Sequence, residues 1–167
     1  MSKKEFKKYI HELSKEQLEE QVLDLYERFK EVKTYYNFAF NPKEDKLLEE
    51  AKFKISKEYF PVNGRKAKMR RSVAQKMIRE YIRLGVDSYI IADIMLYNLE
   101  VALSYTAENL VKADSFYRSM HKSFEELSDF LAENKLMMEF RGRVEKIVED
   151  IDDQNWQNRA LFKIWFF

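Results

Sequence analysis

Apolar residues recur at helical spacing along almost the whole chain. Phe6, Tyr9, Ile10 and Leu13 mark a short first helix. Ser14 then offers an N-cap, with Gln17 three residues on as its capping-box partner. Leu18, Val22, Leu25, Phe29, Val32 and Tyr36 follow at intervals of 4, 3, 4, 3 and 4. That is a narrow seam of the kind two long helices bury against each other, and its opposite face is rich in Glu and Lys. Fraying is expected near Tyr36–Phe40, and Asn41-Pro42 fits an N-cap followed by proline at the first helical position. The helix starting there has Leu47, Leu48, Ala51, Ile55 and Tyr59 as its buried face, and Pro61 to Gly64 break the pattern.

Beyond the break, Val73, Ala74, Met77, Ile78, Tyr81 and Ile82 form a second clear stripe. Ser72 and Gln75 have capping-box spacing, Gly85 suits a left-handed C-terminal stop, and Asp87 suits the cap of the next helix. That next helix, about 88–110, is apolar on most sides and is expected at the centre of the fold. Tyr117, Met120, Phe124, Leu127 and Leu131 give one further amphipathic helix; Met137, Phe140, Val144, Ile147 and Ile151 give another. Gly142 lies inside the latter, where a kink or a close contact is expected. The tail has Trp156, Ala160, Leu161, Ile164 and Trp165 at helical spacing and ends Trp165-Phe166-Phe167, so it should dock on the body or in an oligomer interface.

The fold class is therefore all-α, in one helical domain over 1–167: a multi-helix bundle or a short α-solenoid of about 7–8 helices, two architectures the pattern does not separate. Three glycines and two prolines are too few for an all-β domain. There is no cysteine, which removes disulfides, thiolate metal sites and a Cys nucleophile. The basic start leads into no apolar stretch, and the most apolar region, Ser88 to Ala107, is interrupted by Asp93, Asn98 and Glu100. A soluble cytoplasmic protein with no membrane association is expected.

The net charge of +1 conceals an imbalance. Residues 61–84 carry Arg65, Lys66, Lys68, Arg70, Arg71, Lys76, Arg79 and Arg83 against Glu80 alone, while residues 85–167 are net acidic. At 100° per residue Lys76, Arg79 and Arg83 share one stripe opposite Val73, Met77 and Tyr81; the helix should begin near Ser72, with 63–71 mostly loop. A basic loop feeding a helix N-terminus favours an anion, and the two adjacent arginines suit bidentate phosphate contacts. The eight residues are accordingly the candidate site for nucleic acid or a phosphorylated ligand. The competing reading is a solvated face whose loop pairs with the acidic C-terminal half.

Three other constellations stand beside it. Asp93, Tyr97, Glu100 and Ser104 share one face of the central helix. They are either an enzymatic carboxylate site or, as carboxylates on an otherwise apolar helix favour, an internal salt bridge to an arginine, for which 65–83 is one source. Tyr35-Tyr36-Asn37-Phe38-Ala39-Phe40 is either a base-stacking cluster or, more in keeping with its aromatic content, core at a helix corner. His11 and His121 are isolated, the latter with Glu125 one turn on, and make no metal constellation. No catalytic residue, metal or cofactor is expected. Partners are nucleic acid or a phosphorylated ligand, or else, for a protein–protein adaptor, a protein held through a helical groove and the aromatic tail, or a second copy held through that tail.

Four stretches carry a resemblance. They are Lys57-Glu58-Tyr59-Phe60-Pro61, Arg70-Arg71-Ser72-Val73-Ala74-Gln75-Lys76, Leu84-Gly85-Val86-Asp87 and Ile91-Ala92-Asp93-Ile94-Met95-Leu96-Tyr97-Asn98. In combination they resemble an uncharacterised family of small helical bacterial proteins, a domain of unknown function, over roughly residues 14–105. The resemblance implies a bacterial, cytoplasmic protein and transfers no catalytic residue.

Overall fold

The computed structural model describes the backbone of residues 1–166 and the side chains of residues 1–162. Eight α-helices and no strand occur among the described residues: α1 (Lys3–Glu12), α2 (Lys15–Arg28), α3 (Lys30–Phe40), α4 (Glu44–Tyr59), α5 (Arg71–Leu84), α6 (Ser88–Glu108), α7 (Asp114–Glu133) and α8 (Met137–Asp153). A 3-10 segment over Arg159–Phe166 follows. The helices group into two units, Met1–Pro42 and Lys43–Phe167.

The first unit is built by local signals. Ser2 and Glu5 close one capping box, and Ser14 and Gln17 close the expected second one. The seam through Leu18, Val22 and Leu25 does not continue as one helix. Phe29 is extended at φ −113° and ψ 115°, ending α2 and starting α3. The chain bends there so far that Tyr26 reaches α3, with its hydroxyl 3.1 Å from Asn37 Oδ1 and its ring 6.4 Å from that of Tyr36. No side chain in α1, α2 or α3 is fully buried. The aromatic run is therefore not core: Tyr35 and Phe40 are exposed, and Tyr36 stacks on Phe40 within the unit.

The second unit is a bundle around α6. Ten α6 side chains are buried, among them Ile94, Leu96 and Leu99, and α4, α5, α7 and α8 all pack on this helix. A solenoid repeat touches only its sequence neighbours, so this unit is not one. Burying aliphatic side chains on that scale, at about 1.5–3 kcal/mol each, is the main source of its stability. Of the described helices, α6 alone is long and apolar enough to cross a membrane, and 61% of that window lies inside the fold. It reads as a core helix.

Most local stops fall where the sequence places them. Gly85 closes α5 with φ +76°, and the Asp87 carboxylate caps α6 by accepting from Tyr89 N. Three expectations shift. The helix expected at Pro42 begins at Glu44, with Lys43 as N-cap. Gly142 does not interrupt α8 and meets no neighbour, since a Cβ built on it has open space around it. The tail adopts 3-10 rather than α geometry. Its Trp156 and Phe162 are buried, with rings 5.8 Å from Phe116 and 5.1 Å from Phe124 respectively. That part of the tail docks on α7; the terminal Trp165-Phe166-Phe167 lies outside the described side chains.

Candidate functional site

The basic segment divides into two parts with different surroundings. Residues 61–70 form a loop that turns through positive φ at Asn63, Gly64 and Met69. The loop then folds back on the end of α4, where Lys68 N and Met69 N both donate to the Glu58 carbonyl, at 2.9 and 3.0 Å. The Glu58 side chain completes the clasp. Its carboxylate accepts from Arg70 Nε at 2.9 Å, from Arg70 Nη2 at 2.7 Å and from the Arg70 backbone N–H at 3.3 Å. The Arg70 guanidinium beside Glu58 holds that carboxyl below its usual value, against the opposing effect of burial.

Arg71 is also engaged. Its Nε donates to Ser123 Oγ at 2.8 Å and its Nη2 pairs with Glu126, tying the first turn of α5 to α7. Gln75 donates to both oxygens of Glu126 and makes no capping box with Ser72, and the N-cap of α5 is Arg70, without a side-chain cap. The anion expected at this helix start is thus represented by the chain's own Glu58. Arg70 and Arg71 behave as structural arginines.

The other six cations are differently placed. Arg65, Lys66, Lys68, Lys76, Arg79 and Arg83 are all exposed. Among the described residues none of the six enters an ion pair; Arg79 reaches only the neutral Gln75, at 3.4 Å. Lys76, Arg79 and Arg83 fall within an arc of about 60° on α5. The opposite face, Ala74, Met77 and Tyr81, is buried. Tyr81 anchors that face through a 3.1 Å hydrogen bond to the Leu47 carbonyl, and burial pushes its phenol up to about 12. Glu80 is the one acid on the exposed side of α5.

Sequence reasoning passed over an adjoining feature. Phe53 and Phe60 are 59% and 45% exposed, and Val62 beside them is 58% exposed. Lys57 lies between the two phenylalanines in sequence, its ammonium 3.9 Å from the centre of the Phe53 ring. The signal was present in the sequence: Phe53 is two residues from both Ala51 and Ile55, which places it on the opposite side from the buried stripe.

The carboxylates of α6 form a salt-bridge network, as expected, but with a different arginine. Arg143 on α8 grips Glu100 through two bonds of 2.8 and 2.9 Å and reaches Asp93 with Nη1. Lys52 on α4 pairs with the other Asp93 oxygen at 2.6 Å. No arginine from 65–83 takes part. Burial pushes the Asp93 carboxyl up, yet the bonds from Lys52 and Arg143 together outweigh it, so Asp93 lies below its usual value and stays ionised at neutral pH. Tyr97 of the same face shares a 2.6 Å hydrogen bond with Ser56.

An open groove of about 370 Å³ runs beside this network, lined by Glu100, Ser104, Arg143, Lys146, Asp150 and Gln154 among others. Its charged groups are matched to one another. Lys146 pairs with Asp150 at 2.7 Å. Gln154 accepts from Thr106 and Trp156 and donates to the Leu103 carbonyl. General acid–base work needs a group poised to exchange a proton near neutral pH, and the depressed Asp93 is not one. Among the described residues no group of three or more His, Asp or Glu has metal-binding placement. His121 sits 3.8 Å from Glu125 and edge-on to Phe162, a packing role.

The model of one protein family, described as a family of unknown function (DUF6155), matches residues 1–166. The likeness therefore extends well past the 14–105 carried by the quoted stretches. No curated protein and no solved structure matches the chain.

Proposed function

The chain belongs to this family of unknown function, DUF6155, and we propose that it is a non-enzymatic binding protein whose basic patch engages the phosphate backbone of a nucleic acid. One observation carries the reading: six cations of one short segment are exposed with no carboxylate at ion-pair distance, only Lys68 interacting with Glu58 from further off, while the two arginines between them are spent on holding the loop and the helix in place. A solvated helix face ordinarily mixes signs and pairs them at i, i+4, as Lys8–Glu12, Lys15–Glu19 and Arg141–Glu145 do elsewhere in this chain. The exposed face of α5 departs from that habit. A scaffold that fixes a set of unpaired cations suits a ligand carrying regularly spaced negative charge, where each neutralised phosphate releases counterions. The protein is read further as a bacterial protein of the cytoplasm; the burial of α6 supports its being a soluble one.

Fluorescence anisotropy of a labelled oligonucleotide tests the reading. The wild type binds it, and the triple variant Lys76→Glu, Arg79→Glu, Arg83→Glu loses at least about tenfold in affinity with its helicity retained. A wild type that binds no oligonucleotide at low salt, or a triple variant that binds as well, contradicts the proposal.

A further inference from the structure

We infer that the nucleic acid is taken as a single strand, with its bases stacking on Phe53 and Phe60 while the neighbouring cations hold its phosphates. The inference rests on the nucleic-acid reading above and names its ligand class.

The placement of the aromatic residues carries it. The buried face of α4 is Ala51, Ile55 and Tyr59, and Phe53 and Lys57 follow one another along the opposite side at i and i+4; Phe60 is the residue that ends the helix, at φ −119° and ψ 71°. Both rings remain partly in solvent, at 59% and 45% exposure, one on the outer side of α4 and one at its C-terminal end. Single exposed apolar residues are ordinary on protein surfaces. Two exposed rings on either side of a lysine in sequence, at the base of a cationic loop, are a more specific arrangement.

Charge complementarity indicates what covers them. Lys57 already lies over the Phe53 ring, so the ring face attracts a cation in the free protein. A stacked base would take that face and leave the ammonium to the adjoining phosphate. The loop brings Arg65, Lys66 and Lys68 to the same end of α4, because Lys68 N and Met69 N are bonded to the Glu58 carbonyl. Glu58, with which Lys68 also interacts, is neutralised by Arg70, and Glu50 pairs with Lys54. Glu49, one turn before Phe53, is the remaining acid on this side of α4. Phe60 is steadied by edge-to-face contact with Tyr105, the ring centres 5.7 Å apart. A duplex keeps its base faces stacked inside and has use only for the cations. A single strand uses cations and rings together.

The test uses the full chain, a labelled single-stranded oligothymidine, a duplex of equal length, and anionic phospholipid vesicles. The strand is expected to bind at least about tenfold tighter than the duplex at the same salt. Phe53→Ala and Phe60→Ala each weaken strand binding by about tenfold, with duplex binding unchanged and helicity retained; Phe60→Trp retains strand binding. Equal affinity for strand and duplex with no effect of either alanine overturns this inference and leaves the phosphate-binding reading intact. Failure to bind either oligonucleotide overturns both. Phenylalanine-dependent binding to the vesicles, without binding to the strand, reassigns the face to a membrane surface and also overturns the inference.

Discussion

Replacing Arg143 by methionine removes one guanidinium from between two carboxylates while keeping most of the stem that packs by Phe140. Asp93 retains Lys52, but Glu100 loses both of its bonds to the guanidinium. Fully sealed pairs broken in this way cost about 3–5 kcal/mol, and exposed ones about 0.2–1 kcal/mol. Here the side chains are 36% (Arg143), 35% (Glu100) and 14% (Asp93) exposed, so water screens part of the loss. A cost of about 2 kcal/mol follows, equivalent to a fall in melting temperature of roughly 6–8 °C for a unit of this size. The pH dependence has a definite sign. Asp93 is depressed in the folded state, so its contribution is present above its unfolded value of about 3.9 and is lost as pH falls through the lower folded value. Urea denaturation of both proteins from pH 7 to pH 3 should show the gap at full size near neutrality and narrowing below about pH 4. Equal stability at pH 7, or a gap that widens on acidification, would refute the view that this network is a structural tie between α4, α6 and α8.

Three further substitutions probe the fold. Gly142→Ala should raise stability by about 0.5–1 kcal/mol in thermal melts, because the new Cβ meets nothing and the helix no longer carries a glycine; the same change at Gly85, held at φ +76°, should lower it by a similar amount. Phe162→Ala should cost about 3 kcal/mol or more, since the ring is wholly buried against Phe124 and His121, and differential scanning calorimetry reads this directly.

Much of the fold was legible because its signals are local. The Ser14–Gln17 box, the Gly85 stop, the Asp87 cap and the all-round apolar character of α6 each depend on neighbours in sequence. The bend at Phe29 was not legible: the 4-3-4 spacing runs straight through it, and no proline or glycine marks it. Periodicity reports which face is apolar and says nothing of where an axis turns. The Asn41-Pro42 signal was real turn chemistry placed two residues early. Within the site, the stripe of Lys76, Arg79 and Arg83 followed from helical geometry alone. The fates of Arg70, Arg71 and Gln75 did not, because Glu58 and Glu126 lie 12 and 55 residues away from the arginines they bind. The same holds for Asp93 and Glu100. Their need for an arginine could be read from the sequence, but the choice of Arg143 over the denser supply at 65–83 is tertiary information.

The central claim is that the basic segment is divided between structural arginines and cations free for phosphate. The most direct measurement is the salt dependence of single-strand binding for the wild type, Lys76→Gln and Arg71→Gln. Six phosphate contacts predict a slope of log affinity against log salt of about −4 for the wild type, and loss of Lys76 should make it shallower by about 0.7. Arg71→Gln should lower the melting temperature and leave the slope where it was. A wild-type slope near zero, or a slope that responds to Arg71→Gln and not to Lys76→Gln, would contradict the account.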